Sequence, residues 1–142
     1  MRSKETGFGF ILVLAPGDEL IRSLIAFARS HDIDGATITG VGTVREADLG
    51  TWSPQRNEHV RRTFNEELDV CAISGNLALL DGEPMPHVHA VFARSDFSTV
   101  GGHVFQAVCS TSVEIAIHMT REPLERTTAS ERDLLVAQEE EA

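Results

Sequence analysis

The 142-residue sequence has no tyrosine and a single tryptophan, Trp52. A stacking platform for nucleic-acid bases is therefore not on offer. Cysteine is almost as scarce. Cys71 and Cys109 stand far apart and no CxxC pair occurs, so no thiolate metal knuckle is readable, and a disulfide, though possible, is supported by no spacing rule. Each lies in an apolar run, so both are expected to be buried free thiols. Basic residues are outnumbered, 12 Lys and Arg against 22 Asp and Glu, for a formal net charge of −10. Such a surface repels a phosphate backbone within a Debye length, and the nearest thing to a basic patch is Arg61-Arg62. No stretch approaches a membrane span, and the first apolar run is too short for a signal peptide and lacks a cleavage site. A soluble, cytoplasmic protein without membrane partners is expected.

What is present is enough for one domain. Hydrophobic residues make up 42% of the chain, sufficient at this length to bury a core. Phe8 to Leu14 reads as a first, mostly buried strand, closed by Ala15-Pro16-Gly17-Asp18. Asp18 and Glu19 mark a helix start, and Leu20, Ile21, Leu24, Ile25, Phe27 and Ala28 follow at helical spacing. The helix is expected to end near Ser30-His31-Asp32, with His31 as a C-terminal cap. Gly35 to Val44 and Glu46 to Trp52 read as two further strands, with Gly40 and Gly42 marking a bulge. The polar segment Gln55 to Arg62 reads as a hairpin that leaves His59 in solvent. Leu68 to Leu80 reads as a core strand with a bulge near Gly75, and Asp81-Gly82-Glu83 as a tight turn. Residues 1–120 form the domain. Residues 121–142 read as an acidic tail in which Ser130 and Asp133 could cap a short, by itself marginal, helix over Leu134 to Ala137, docked on the body or a neighbouring subunit or else mobile.

The stretch that carries chemistry is GEPMPHVHAVFARSDFSTVGGH, Gly82 to His103. His87 and His89 are two apart within Val88, Ala90, Val91 and Phe92, so on a strand both imidazoles share a face. Ser95 to Thr99 reads as a turn, and an apolar run from Val104 returns after Gly101-Gly102-His103. If the two runs pair, His103 comes back beside the first two histidines, and the glycines allow close backbone approach. Three convergent imidazoles with an open fourth position suit zinc or another divalent transition metal. The alternative is three polar core or interface residues. Thr111 to Met119 forms a last strand with Val113, Ile115, Ile117 and Met119 on one face and Ser112, Glu114, Ala116 and His118 on the other. Glu114 is the candidate general base beside a metal-bound water, or an acceptor behind a metal-bound histidine. Its alternative is a charge on the solvent face, which is also the reading for His118.

The order of one strand, one helix and a series of strands, together with SGNLAL, GEPMPHVHAVF, VGGHVF and TSVEIAI, resembles the plants-and-prokaryotes conserved (PPC) domain. The resemblance covers Gly7 to Met119. It is most specific at His87-Val88-His89 and at Val100 to His103, and includes Ser74-Gly75-Asn76 and Glu114. It implies an α/β (α+β) fold with a mostly antiparallel sheet, one principal helix and a homotrimer. Family members commonly carry a DNA-binding description. In the plant members DNA is touched by an AT-hook around Arg-Gly-Arg-Pro, which this sequence lacks. With the −10 charge, that disfavours direct DNA binding and points to a regulatory or DNA-associated module acting through protein partners. A zinc-dependent enzyme acting on a small molecule through metal-activated water is the alternative. A superficial similarity to cupins stops at the missing glutamate after His89 and the missing proline and asparagine around His103.

Overall fold

The computed structural model describes residues 1–129 and 132–135, with side chains as far as Thr128. In order these are β1 (Arg2–Thr6), β2 (Gly9–Leu14), α1 (Leu20–Ser30), β3 (Ala36–Ser53), β4 (Glu58–Phe64), β5 (Leu68–Leu80), β6 (Glu83–Ala93), β7 (Thr99–Met119), β8 (Glu125–Ala129) and β9 (Arg132–Leu135). The sheet is mostly antiparallel; among the described strands, β8 joins β5 in parallel. This is the expected α+β arrangement with one helix.

Two strands are longer than their residue patterns indicate. β3 unites the two expected strands 35–44 and 46–52, and β7 unites the Gly-Gly-His run with Thr111–Met119. The interruptions appear as register shifts, at Gly40/Gly42 and Val44/Glu46 on β3. A bulge bends a strand without ending it. Length lets each strand serve several neighbours. β7 pairs β6 through Thr99 to His103 and β3 through His103 to Met119. β3 pairs β5 through Ala36 to Val44 and β4 through Ala47 to Ser53. The pairings β3–β5–β6–β7 thus return to β3, and His103 sits where β7 passes between β6 and β3.

The inner face of this curved sheet carries the core. Leu12, Leu14, Ile38, Val88, Phe92, Ile115 and Ile117 are all buried. On the helix, Leu20, Leu24, Phe27 and Ala28 are buried, as the apolar spacing requires. Glu19 is the N-cap: its carboxylate accepts from the amides of Ile21 and Arg22 at 3.0 and 2.8 Å, and from Ala107 of β7 at 3.1 Å. One side chain thereby satisfies two helix-end donors and fastens the helix to the sheet. His31 is the C-cap as expected, with Nδ1 3.1 Å from the Phe27 carbonyl and its ring stacked on Phe27.

Four local expectations change. β1 was not legible, because its Arg-Ser-Lys-Glu-Thr run lies exposed at the sheet edge, where no face needs apolar residues. The β5 bulge falls at Cys71, between Val70 and Ala72, and not at Gly75. As the extra residue, Cys71 leaves the strand's alternation and is exposed, whereas Cys109 is buried as expected. The fourth change concerns the tail. Residues 132–135 pair with β8 as a strand, Thr127 opposite Leu134, instead of opening the expected helix. A short isolated helix is marginal, and the β-branched Thr127-Thr128 offers a strand partner. Ser130 and residues 136–142, also part of the helix expectation, lie outside the described residues.

Candidate metal centre

β6 alternates buried Val88, Ala90 and Phe92 with His87 and His89, so both histidines stand on the outer face of the sheet. His103 is the direct cross-strand partner of His89. The approach is permitted by the two preceding residues. A Cβ at Gly101 would lie 2.7 Å from the Ala90 carbonyl oxygen on β6, and one at Gly102 2.5 Å from the Gly50 carbonyl oxygen on β3. Side chains at either position would push β7 away from one neighbour. The three expected ligands therefore come together. Their ring centroids are 5.2 to 5.4 Å apart, and one nitrogen from each ring lies within 4.8 Å of the other two.

All three rings are held neutral. His103 is pushed down to about 4, first by burial, which disfavours the imidazolium, and then by His87, His59, His89 and Arg61. Burial is also the largest cause for His87, followed by the charge of Arg126, and for His89, followed by His59. A neutral imidazole keeps the lone pair that a metal needs. His103 Nδ1 is buried and makes no hydrogen bond, an arrangement that normally costs stability. Three converging neutral imidazole nitrogens are a donor set that fits zinc or a similar ion.

Glu114 does not join them. It lies on β7 opposite Val13 and Val41, exposed, beside a groove of about 510 Å³ that also takes in Cys71 and Ser74. The register runs Ala116–Thr39–Ser74–His89. At about 4.8 Å per strand that is roughly 14 Å, and Glu114 lies two residues beyond Ala116. Within one chain it therefore does not reach the three histidines. His118 is exposed and stacks on Phe8 at 4.2 Å.

The structure adds residues that the sequence did not single out. His59 is exposed as expected, yet its ring lies 5.0 Å from that of His103, against Trp52 at 5.3 Å and Phe105 at 5.4 Å. Arg61 lies 3.8 Å above the Phe105 ring and is paired with Asp48. Arg126 reaches in from β8 and donates to Asn76 Oδ1 at 2.5 Å; Asn76 is the register partner of His87. None of these juxtapositions has a signal in residue spacing. His59 meets His103 only because β3 lies between β4 and β7 with Gly50 opposite His103.

The molecule is thus an α+β domain with a candidate three-histidine centre on the outer face of its sheet. It belongs to the Plants and Prokaryotes Conserved (PCC) domain family, whose profile matches residues 1–120. A solved structure from Ralstonia eutropha JMP134, named a "putative DNA-binding protein", is 25% identical with a TM-score of 0.89 over 96% of each chain. A metal-containing protein from Archaeoglobus fulgidus is 28% identical with a TM-score of 0.80 over 92% of each chain. A plant- and prokaryote-conserved (PPC) protein from Pyrococcus horikoshii shares the fold at 20% identity, TM-score 0.83, over 99% of this chain and 94% of its own. No curated protein matches the chain. Among the described residues no helix is long and apolar enough to cross a membrane.

Proposed function

We propose that this chain is a cytoplasmic, trimeric binding module of the PCC family in which His87, His89 and His103 hold zinc or another divalent transition metal. The observation that carries the metal is the convergence of three neutral imidazoles, one with a buried, unbonded Nδ1. The metal-containing relative from Archaeoglobus fulgidus supports the same reading. Such an ion would have three nitrogen ligands and an open position at which it acts as a Lewis acid. The chain's own residues do the rest. The strands fix the rings, burial keeps them unprotonated, and Trp52 and Phe105 hold His59 beside His103.

A DNA-associated or regulatory role for the module, which is part of this proposal, takes its support from the DNA-binding name of the Ralstonia eutropha relative. The −10 charge favours association with DNA through protein partners over direct contact. A trimer is supported by the family resemblance and by Val41, Val91 and Met119, apolar side chains exposed on the single chain. Light scattering should then return three times the 15.5 kDa chain mass. A second reading, a metal-dependent enzyme using activated water on a small molecule, is favoured by the position that three ligands would leave open on such an ion and by the His59 ring, 5.0 Å from that of His103.

Elemental analysis of tag-free protein tests the metal directly. About one ion per chain is expected in the wild type, and loss of it in His87→Ala and His103→Ala. Wild-type protein that remains metal-free after incubation with zinc would overturn the proposal.

A further inference from the structure

Phe97, at the tip of the β6–β7 hairpin, breaks two local rules at once. It is 90% exposed, and its φ is 66°. The turn is a three-residue loop, Ser95 to Phe97. The Arg94 amide donates to the Ser98 carbonyl at 2.8 Å, and the Phe97 amide to the Arg94 carbonyl at 2.9 Å. Such a loop puts its third residue in the left-handed region, where glycine is the favoured occupant. The other non-glycine residues with positive φ among those described are Asp32, Asn57 and Asp81, of the two types that tolerate it. A phenylalanine there is held in a costly conformation and contributes nothing to its own core. Asp96 stiffens the turn, accepting from the Ser98 amide at 2.9 Å and from the Ser98 hydroxyl. The ring is thus presented on a fixed stem to something outside the chain, and a broken local rule without a gain inside the fold marks a functional contact.

The chain itself carries an apolar recess to match. The groove of about 510 Å³ on the sheet is lined by Ile11, Val41, Cys71 and Ala72 among others, with Ser74 and Glu114 as its polar groups. Val41 is exposed, and so is Val91, the register neighbour of Ala72 across β5 and β6. The recess therefore opens into a wider apolar surface of the kind that marks a contact face. A net charge of −10 sets the chain against an anionic lipid surface. A ring of three copies has a further requirement. Each of its interfaces is heterologous and joins two different patches, one from each copy. The hairpin tip and the groove are two different patches, one projecting and one concave. We propose that the groove receives Phe97 from a second copy of this chain, so that each copy offers its hairpin tip to the next. This rests on the trimer reading above, and it assigns the two surfaces that meet and the residue that anchors them.

Cys71 makes the contact testable, because it is exposed and lines the groove while Cys109 is buried. Full-length Phe97→Cys, treated with a short bismaleimide, should give covalently joined chains on a denaturing gel. Wild type and the double variant Phe97→Cys/Cys71→Ser should give none. Absence of the product, or a product that survives Cys71→Ser, overturns the proposal. Light scattering reads the energetics on proteins altered only at exposed positions. Phe97→Asn keeps a residue type that accepts positive φ, and Val41→Arg fills the groove rim. Each should weaken assembly by about tenfold or more in dissociation constant, as loss of an anchor does. Val60→Asn removes an exposed apolar side chain of β4, outside the groove, and should leave the assembled mass unchanged. Phe97→Asn assembling as tightly as the wild type overturns the anchor. A trimeric wild type with either of these failures keeps the trimer reading and loses this one. A wild type that assembles in another number, yet joins position 97 to Cys71, upholds the contact and overturns the trimer.

Discussion

His89 on β6 and His103 on β7 are direct partners across an antiparallel pair, with ring centroids 5.4 Å apart. The contact joins residues on opposite sides of the turn at Ser95 to Ser98, so a bound ion would clamp β6 to β7 in the folded state only. Binding to the native state alone stabilises by about 2.7 kcal/mol when free ligand is 100 times its dissociation constant. Zinc should therefore raise the unfolding temperature of the wild type and leave that of His103→Ala unmoved. An equal rise in both proteins would place the bound ion elsewhere.

The metal-free protein should lose stability in acid through these same residues. The folded-state value of His103 lies at about 4, below the ordinary 6.5. Between those two values the unfolded chain binds a proton that the folded chain refuses, so stability falls as pH drops from about 6.5 to about 4. Above 6.5 both states are neutral and the contribution vanishes. His87 and His89 are shifted the same way. Allowing for partial solvent screening, His103 contributes on the order of 2 kcal/mol of this loss. Urea unfolding in the presence of chelator, at pH 7 and pH 4.5, reads it as the difference between wild type and His103→Gln. Parallel losses in the two proteins would show that His103 does not titrate as stated.

Gly75 is held by the neighbour it faces. It pairs with Val88, and an added Cβ would collide with the His87 carbonyl oxygen, which is backbone and cannot swing aside. Gly75→Ala should cost about 1–3 kcal/mol, the range for overpacking a tight contact. It should also weaken zinc binding, because relief requires β6 to move with His87. Gly7→Ala is the control: nothing lies within 4 Å of a Cβ there, and a change within about 0.5 kcal/mol is expected. Chemical denaturation and zinc titration of the two variants decide it. A Gly75→Ala protein as stable and as avid as the wild type would mean that the strands separate freely.

How far these features were legible depended on the range over which each is set. Helix α1 was readable to within a residue because its apolar spacing and its Glu19 cap are local. The limits of β5 were readable because the apolar run ends at the Asp81-Gly82 turn, where both residues have positive φ (51° and 79°). The HVH pair and the Gly-Gly before His103 showed three of the site's residues, since alternation along β6 and close approach at glycine are also local rules. Glu114 was misplaced because strand alternation gives its face and not its distance; that distance was set by β3 and β5 lying between Ala116 and His89. Arg126 and His59 were invisible for the same reason. One arrives through the parallel β5–β8 pairing and the other through the β3–β4 hairpin.

Trp52 turns one of these concealed contacts into a reporter. It is the sole tryptophan, its ring lies 5.3 Å from His59, and the His59 ring lies 5.0 Å from His103. An ion at His103 would change the charge and packing felt by His59, and through it the surroundings of the indole. Tryptophan emission should therefore change on zinc addition and saturate at about one ion per chain. His59 is not among the three nitrogens that converge, so His59→Ala should keep its zinc by elemental analysis while losing most of the emission change. Full loss of zinc in His59→Ala would make His59 a ligand in its own right. An unaltered emission response in that variant would show that the indole senses the ion by some route other than the Trp52–His59–His103 contact.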